Sequence, residues 1–147
     1  MKRKWMKLKY TRDKGIQKEI KEIVKTILVF DEYPNMLEAF DRFLSQDNFR
    51  VITIDKLERA LGIIKILKVD LVILDTGKKS ERDVLRVLNV INEINEYLPV
   101  VLTATYTDTL TEDTAREMGA EDIILKPFDP QDLKRIINKL VQGNLCS

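Results

Sequence analysis

Histidine is absent from this 147-residue chain, and that gap excludes more than any other. A Ser-His-Asp or Cys-His catalytic group cannot be built here, nor can a His-ligated zinc site. Any histidine chemistry has to be brought by a partner. Cysteine occurs once, as Cys146 beside the C-terminus, so no internal disulfide is available. Glycine is scarce at five residues and proline at four, while charged residues reach 33%. That balance, rich in Lys and Glu, suits a compact, heat-tolerant protein. No apolar run approaches the roughly 18 residues that a membrane span needs. Met1-Lys2-Arg3-Lys4 opens as a signal peptide does, but no apolar stretch follows it. The expectation is a cytoplasmic chain.

A hydrophobic fraction of 44% is ample for the core of one domain. The net charge of +1 is unevenly placed: residues 1–25 hold ten Lys/Arg against three Asp/Glu, and the remainder holds fifteen against twenty-one. The charge boundary falls just before the first strong apolar run. It divides the chain into a basic extension with a short helix at 1–24, a domain at 25–142 and a tail at 143–147.

In the extension, Trp5, Met6, Leu8 and Tyr10 are interleaved with basic residues. After Gly15, the spacing of Ile16, Ile20, Ile23 and Val24 predicts one amphipathic helix. From Lys25 the pattern alternates. Strands are expected at Thr26–Phe30, Phe49–Ile54, Asp70–Leu74, Pro99–Thr103 and Asp122–Leu125. Helices are expected at Pro34–Ser45, Lys56–Leu67, Ser80–Glu96, Thr109–Met118 and Asp129–Val141. Pro34 suits a first helical turn and Gly119 a C-cap. Strands alternating with helices at this spacing make βαβ units. The expected fold is therefore α/β, a doubly wound five-stranded parallel sheet with an extra N-terminal helix.

Three of the apolar runs stop on a charge. Ile27–Phe30 is followed by Asp31 and Glu32, Leu71–Leu74 by Asp75, and Ile123–Leu125 by Lys126-Pro127-Phe128. Branched, fully apolar runs read as strands buried on both faces, and such sheets bind ligands beyond their carboxyl ends. Three carboxylates and one ammonium should therefore meet at one edge. Hard oxygen donors suit Mg²⁺ or Mn²⁺. A carboxylate can be the nucleophile that forms an acyl phosphate, with a lysine as a point charge on a phosphoryl oxygen. Strand ends are also often polar simply because they meet solvent, and these residues alone leave the two explanations level.

Four stretches carry a resemblance: ILVFDEYP at Ile27–Pro34, DLVILD at Asp70–Asp75, LPVV at Leu98–Val101 and GAEDIILKPFDPQDL at Gly119–Leu133. Over about Lys25–Val141 the chain resembles the receiver domain of two-component response regulators, a flavodoxin-like fold. The resemblance implies that Asp75 accepts a phosphoryl group from a histidine kinase or phosphotransfer protein. Asp31, Glu32 and Asp75, with the carbonyl of Gly77, would hold Mg²⁺ or Mn²⁺, and Lys126 would contact the phosphoryl group. It implies no classical enzyme, at most self-phosphorylation and self-dephosphorylation on Asp75. A downstream protein target is implied, and homodimerisation is common in the family. The receiver is expected to stand alone. Nucleic-acid binding through the basic extension is the weaker expectation.

The sequence departs from the family in ways that bear on activity. The second residue of the acidic pair is Glu32 rather than Asp. The loop after Asp75 reads Thr76-Gly77-Lys78-Lys79-Ser80, and its lysines can serve either as a solvated loop or as charge near the acids. The family places Ser or Thr at the end of the fourth strand, where counting gives Ala104, flanked by Thr103 and Thr105. Its aromatic switch position on the fifth strand is Ile123. A switch needs contacts that differ between its two states. Two functions follow: a working receiver, or a degenerate one that acts as a phosphorylation-independent interaction module.

Overall fold

The computed structural model describes residues 9–10, 17–18, 24–77, 79–105 and 110–141. Most of the basic extension, Lys78 and the tail with Cys146 lie outside the described residues.

Two short strands, β1 (Lys9–Tyr10) and β2 (Gln17–Lys18), pair antiparallel. Gln17 and Lys18 fall in the stretch expected to be helical; here they are extended, and the rest of that stretch lies outside the described residues. The domain then runs β3 (Thr26–Phe30), α1 (Pro34–Ser45), β4 (Arg50–Ile54), α2 (Leu57–Ile66), β5 (Leu71–Asp75), α3 (Glu81–Ile94), β6 (Val100–Thr105), α4 (Glu112–Glu117), β7 (Asp122–Lys126) and α5 (Pro130–Val141). The five long strands form one parallel sheet in the order β4-β3-β5-β6-β7. The α/β doubly wound architecture is as the alternation predicts.

Period-2 alternation sorts the core into two layers. Ile27, Val29, Leu71, Ile73 and Val101 pack with Phe40 and Leu44 of α1 and with Leu133 and Ile137 of α5. Leu28, Phe30, Val72, Leu74 and Leu102 pack on the other face with Ala60 and Ile64 of α2, Val84, Leu88 and Ile91 of α3, and Ala115 of α4. The buried helical residues recur at i and i+4, for example Phe40 and Leu44, or Leu133 and Ile137. At about 25 cal/mol per Å² of apolar area removed from water, each such side chain contributes roughly 2 kcal/mol.

Local signals set the helix starts. Pro34 occupies the first turn of α1. The Ser80 and Thr111 hydroxyls accept from the backbone N–H groups of Asp83 and Thr114 and cap α3 and α4. One boundary matters for function. Strand β6 runs to Thr105, two residues beyond the expected end, because Thr105 stays in register with Lys126 at the end of β7.

Candidate functional site

The two-residue period that builds the core also builds the site. Continuing the α1/α5-facing residues one step along each strand leads from Val29 to Asp31, from Ile73 to Asp75, from Val101 to Thr103 and from Ile124 to Lys126. All four therefore emerge on one face at the carboxyl edge, beside the point where chain order reverses about β3. Ligand crevices of open α/β sheets lie at such a point.

Lys126 joins the group. Its Nζ donates to Asp31 Oδ2 at 2.7 Å and to Asp75 Oδ1 at 2.8 Å. The Asp31 side chain is fully buried and that of Asp75 is 5% exposed. Asp31 Oδ1 accepts from the backbone N–H of Tyr33 at 2.9 Å. Burial opposes the charge on Lys126, but its hydrogen bonds to Asp31 and Asp75 and the Coulombic pull of both carboxylates outweigh it. Its pKa is raised above the ordinary lysine value of 10.5. Two buried carboxylates facing one ammonium leave the cluster with one unbalanced negative charge.

Thr103 is fully buried, and its hydroxyl donates to Asp75 Oδ1 at 2.9 Å. The two residues are register partners on β5 and β6. The Thr103 carbonyl in turn accepts from both the N–H and the hydroxyl of Thr76, at 2.9 and 3.0 Å. Gly77 has a φ of +54°, and a Cβ built there would lie 3.4 Å from Asp75 Oδ2.

Other residues singled out in the sequence stand apart from this cluster. Glu32 is exposed. No group of three Asp, Glu, Cys or His side chains placed to hold a metal ion occurs among the described residues. Ala104 is buried on the opposite face and pairs with Leu125; Ile123 packs on that same face, against the α2–α4 layer. Thr105 is exposed at the strand end. The ammonium of Lys79 lies over the Phe30 ring, 4.9 Å from its centroid, one residue from Asp31. Thr76 was not singled out in the sequence, and its only mark there is a polar residue directly after an acidic strand end. The bond between Thr103 and Asp75 was legible only through alternation, since position along a strand and not distance from a motif decides which face a side chain takes.

An apolar hollow of ≈ 580 Å³ adjoins the cluster, lined by Met36, Ala39 and Phe43 of α1, by Thr105 and Lys126, and by Pro127 and Phe128. The Phe40 and Phe128 rings pack 5.4 Å apart between centroids and tie the loop after β7 to α1.

A family model, the response regulator receiver domain, matches residues 27–138. This chain belongs to that family. The receiver is 33% identical over 120 residues to the DNA-binding response regulator MtrA of Mycolicibacterium smegmatis, covering 80% of this chain and 51% of that one. It is 29% identical over 111 residues to the heme response regulator HssR of Staphylococcus saprophyticus, covering 47% of that protein. The chain thus spans about half the length of these curated relatives. Among solved structures, a response regulator from Thermotoga maritima superposes with a TM-score of 0.73 at 27% identity, covering 81% of this chain and 98% of that one. A receiver domain protein from Clostridium thermocellum gives 0.72 at 25%, covering 83% and 98%. A CheY-like receiver from Methanospirillum hungatei, at 19% identity and a TM-score of 0.73, shares the fold. In the described residues, no helix of this receiver is long and apolar enough to cross a membrane.

Proposed function

We propose that this receiver accepts a phosphoryl group on Asp75 from the phosphohistidine of a histidine kinase or phosphotransfer protein and passes the signal to a downstream protein in the cytoplasm. The observation that carries the reading is Lys126, whose one ammonium holds Asp31 and Asp75 together at the sheet edge. The Asp75 carboxylate attacks phosphorus, the P–N bond breaks, and the electron pair leaves with the imidazole of the donor. This chain has no histidine of its own to give. Lys126 is placed to follow the charge from the carboxylate to a phosphoryl oxygen.

The cluster's residual negative charge would repel a phosphoryl dianion, so the site calls for one further cation. Asp31 and Asp75 offer oxygen donors only, which fits Mg²⁺ or Mn²⁺ held by one or two carboxylates and waters. They would hold it, with the Gly77 carbonyl and the exposed Glu32 as the groups nearest along the chain. Such an ion supplies charge neutralisation at the equatorial oxygens of the transferring group. The apolar hollow between α1 and the Pro127-Phe128 loop offers the donor protein a surface beside the acceptor.

The test is intact mass after incubation with acetyl phosphate and Mg²⁺. The expected result is a single phosphoryl adduct on the wild type and none on Asp75→Asn. A wild type that takes no adduct and binds no Mg²⁺ overturns the reading.

A further inference from the structure

The candidate site occupies the carboxyl edge of the sheet. The amino edge, at the opposite end of every strand, carries acid without a counter-charge. Two hollows lie there. One, of ≈ 570 Å³, is lined by Lys25, Asp70 and Pro99, which directly precede β3, β5 and β6, and by Tyr97 and Lys139. The other, of ≈ 270 Å³, lies between the ends of α3 and α4 and is lined by Glu96 and Glu117. Leu98 and Glu121 line both, so the two hollows adjoin as one groove.

Glu96, Glu117 and Glu121 are exposed. Among the described residues, no ion pair or side-chain hydrogen bond engages their carboxylates. Arg116, next to Glu117, is taken by Glu112 and Asp122, and Lys68 is taken by Asp70. Lys25 and Lys139 line the first hollow, but neither pairs with Glu121. The second hollow has three carboxylates in its lining and no base. Apolar surface is open here too. Tyr97 is 85% exposed, and Ile66 and Leu67, just before Lys68, are 78% and 41% exposed.

The chain itself carries the complement to this groove. Residues 1–23 hold nine Lys/Arg against three Asp/Glu, with Ile16, Ile20 and Ile23 among them. They join the domain at Lys25, which is part of the groove lining. Lys9 and Lys18 are register partners in the β1–β2 pair. Like charges set directly opposite destabilise a ladder, and a nearby carboxylate relieves them.

We propose that the basic extension docks in this groove within the same molecule, its lysines on Glu96, Glu117 and Glu121 and its isoleucines on the apolar rim. From β3 to β7 the sheet order crosses three strand spacings, roughly 14 Å, which about four extended residues span. Lys21 and Lys18 therefore come within reach of the carboxylates. A single exposed ion pair contributes little. The short tether makes this encounter intramolecular, at an effective concentration of order millimolar, so a few such pairs suffice. The docked extension leaves Asp75, at the other edge, free.

The experiment treats the full chain, dilute and at low salt, with a carbodiimide that joins a lysine amine directly to a carboxylate. Peptide mass mapping of the monomer should find links from Lys18 or Lys21 to Glu96, Glu117 or Glu121. Trypsin should also cut after Lys18 and Lys21 on the order of tenfold faster in Glu96→Gln/Glu117→Gln/Glu121→Gln than in the wild type, because protection follows the docked population. The link map needs no variant, so it decides the matter even where the triple variant fails to fold. A wild type with no link from the extension to these glutamates, or one cut as fast as the folded triple variant, overturns the proposal. Links found only in a dimer put the extension on a second copy and overturn it as well. Salt-sensitive retention on DNA without any link assigns the extension to nucleic acid instead.

Discussion

The ammonium of Lys126 lies 2.7 Å from Asp31 Oδ2, across 95 residues of chain and from the edge strand β7 to the end of β3. The same nitrogen reaches Asp75, so three strands meet on one charge. Removing one partner of a buried ionic group leaves the others uncompensated, which costs more than the pair itself contributes. Lys126→Met should destabilise the fold by about 3 kcal/mol in urea unfolding at neutral pH. Lys126→Arg should recover part of that, because the charge remains while the compact ammonium geometry is lost. Equal stability of Lys126→Met and wild type would contradict the coupling.

The raised pKa of Lys126 gives a pH dependence of definite sign. Its folded-state value lies above the unfolded one, so the stabilisation is present in full below the ordinary value of 10.5 and is lost as pH rises through the folded value. The gap in unfolding free energy between wild type and Lys126→Met should therefore stay constant through neutral pH and narrow in the alkaline range above 10.5. Subtracting the variant removes whatever the groups common to both proteins contribute. A gap that widens with pH would refute the assignment.

If Asp31 and Asp75 hold a divalent cation, Mg²⁺ should raise the stability of the wild type. Mass action gives about 2.7 kcal/mol at a hundred times Kd. Asp31→Asn and Asp75→Asn should each abolish most of the Mg²⁺-dependent rise in melting temperature. Glu32→Gln should leave much of it, since Glu32 is exposed and outside the buried cluster. Loss of the whole effect in Glu32→Gln would show that the Glu32 side chain swings in to ligate.

Gly77 carries a φ of +54°, where an L side chain is strained, and its Cβ would approach Asp75 Oδ2. Gly77→Ala should cost about 1 kcal/mol of stability from the backbone alone. It should also slow adduct formation with acetyl phosphate, because the new methyl would rest in van der Waals contact with that carboxylate oxygen, on the side a phosphoryl group or metal ion would take. A variant that phosphorylates at the wild-type rate would place the approach elsewhere.

Much of this receiver was legible before any coordinates. The period-2 and 3.6-residue patterns placed all five strands and five helices of the domain to within a few residues. The acidic strand ends and the lysine before Pro127 marked the candidate site. Counting from motifs carries less physical information than alternation does. Counting placed the fourth strand's key position at Ala104, whereas alternation carries Thr103 to the face of Asp75 and turns Ala104 to the other layer. In the extension, Gln17 and Lys18 pair as strand with Tyr10 and Lys9, and most of the helix expected from the apolar spacing lies outside the described residues.

The sequence alone determined which residues are apolar, with what period, and hence that a parallel sheet would bring its charged strand ends to one edge. Those are local properties, fixed by side-chain chemistry and backbone geometry. Only the tertiary structure decided that one ammonium would serve two carboxylates, that Glu32 would stay outside, and that the hydroxyl on Asp75 would be that of Thr103. Such choices depend on strand register and on angstrom-scale distances between residues tens of positions apart. No local pattern encodes them, because each is set by how neighbouring strands align when both faces of the sheet are packed.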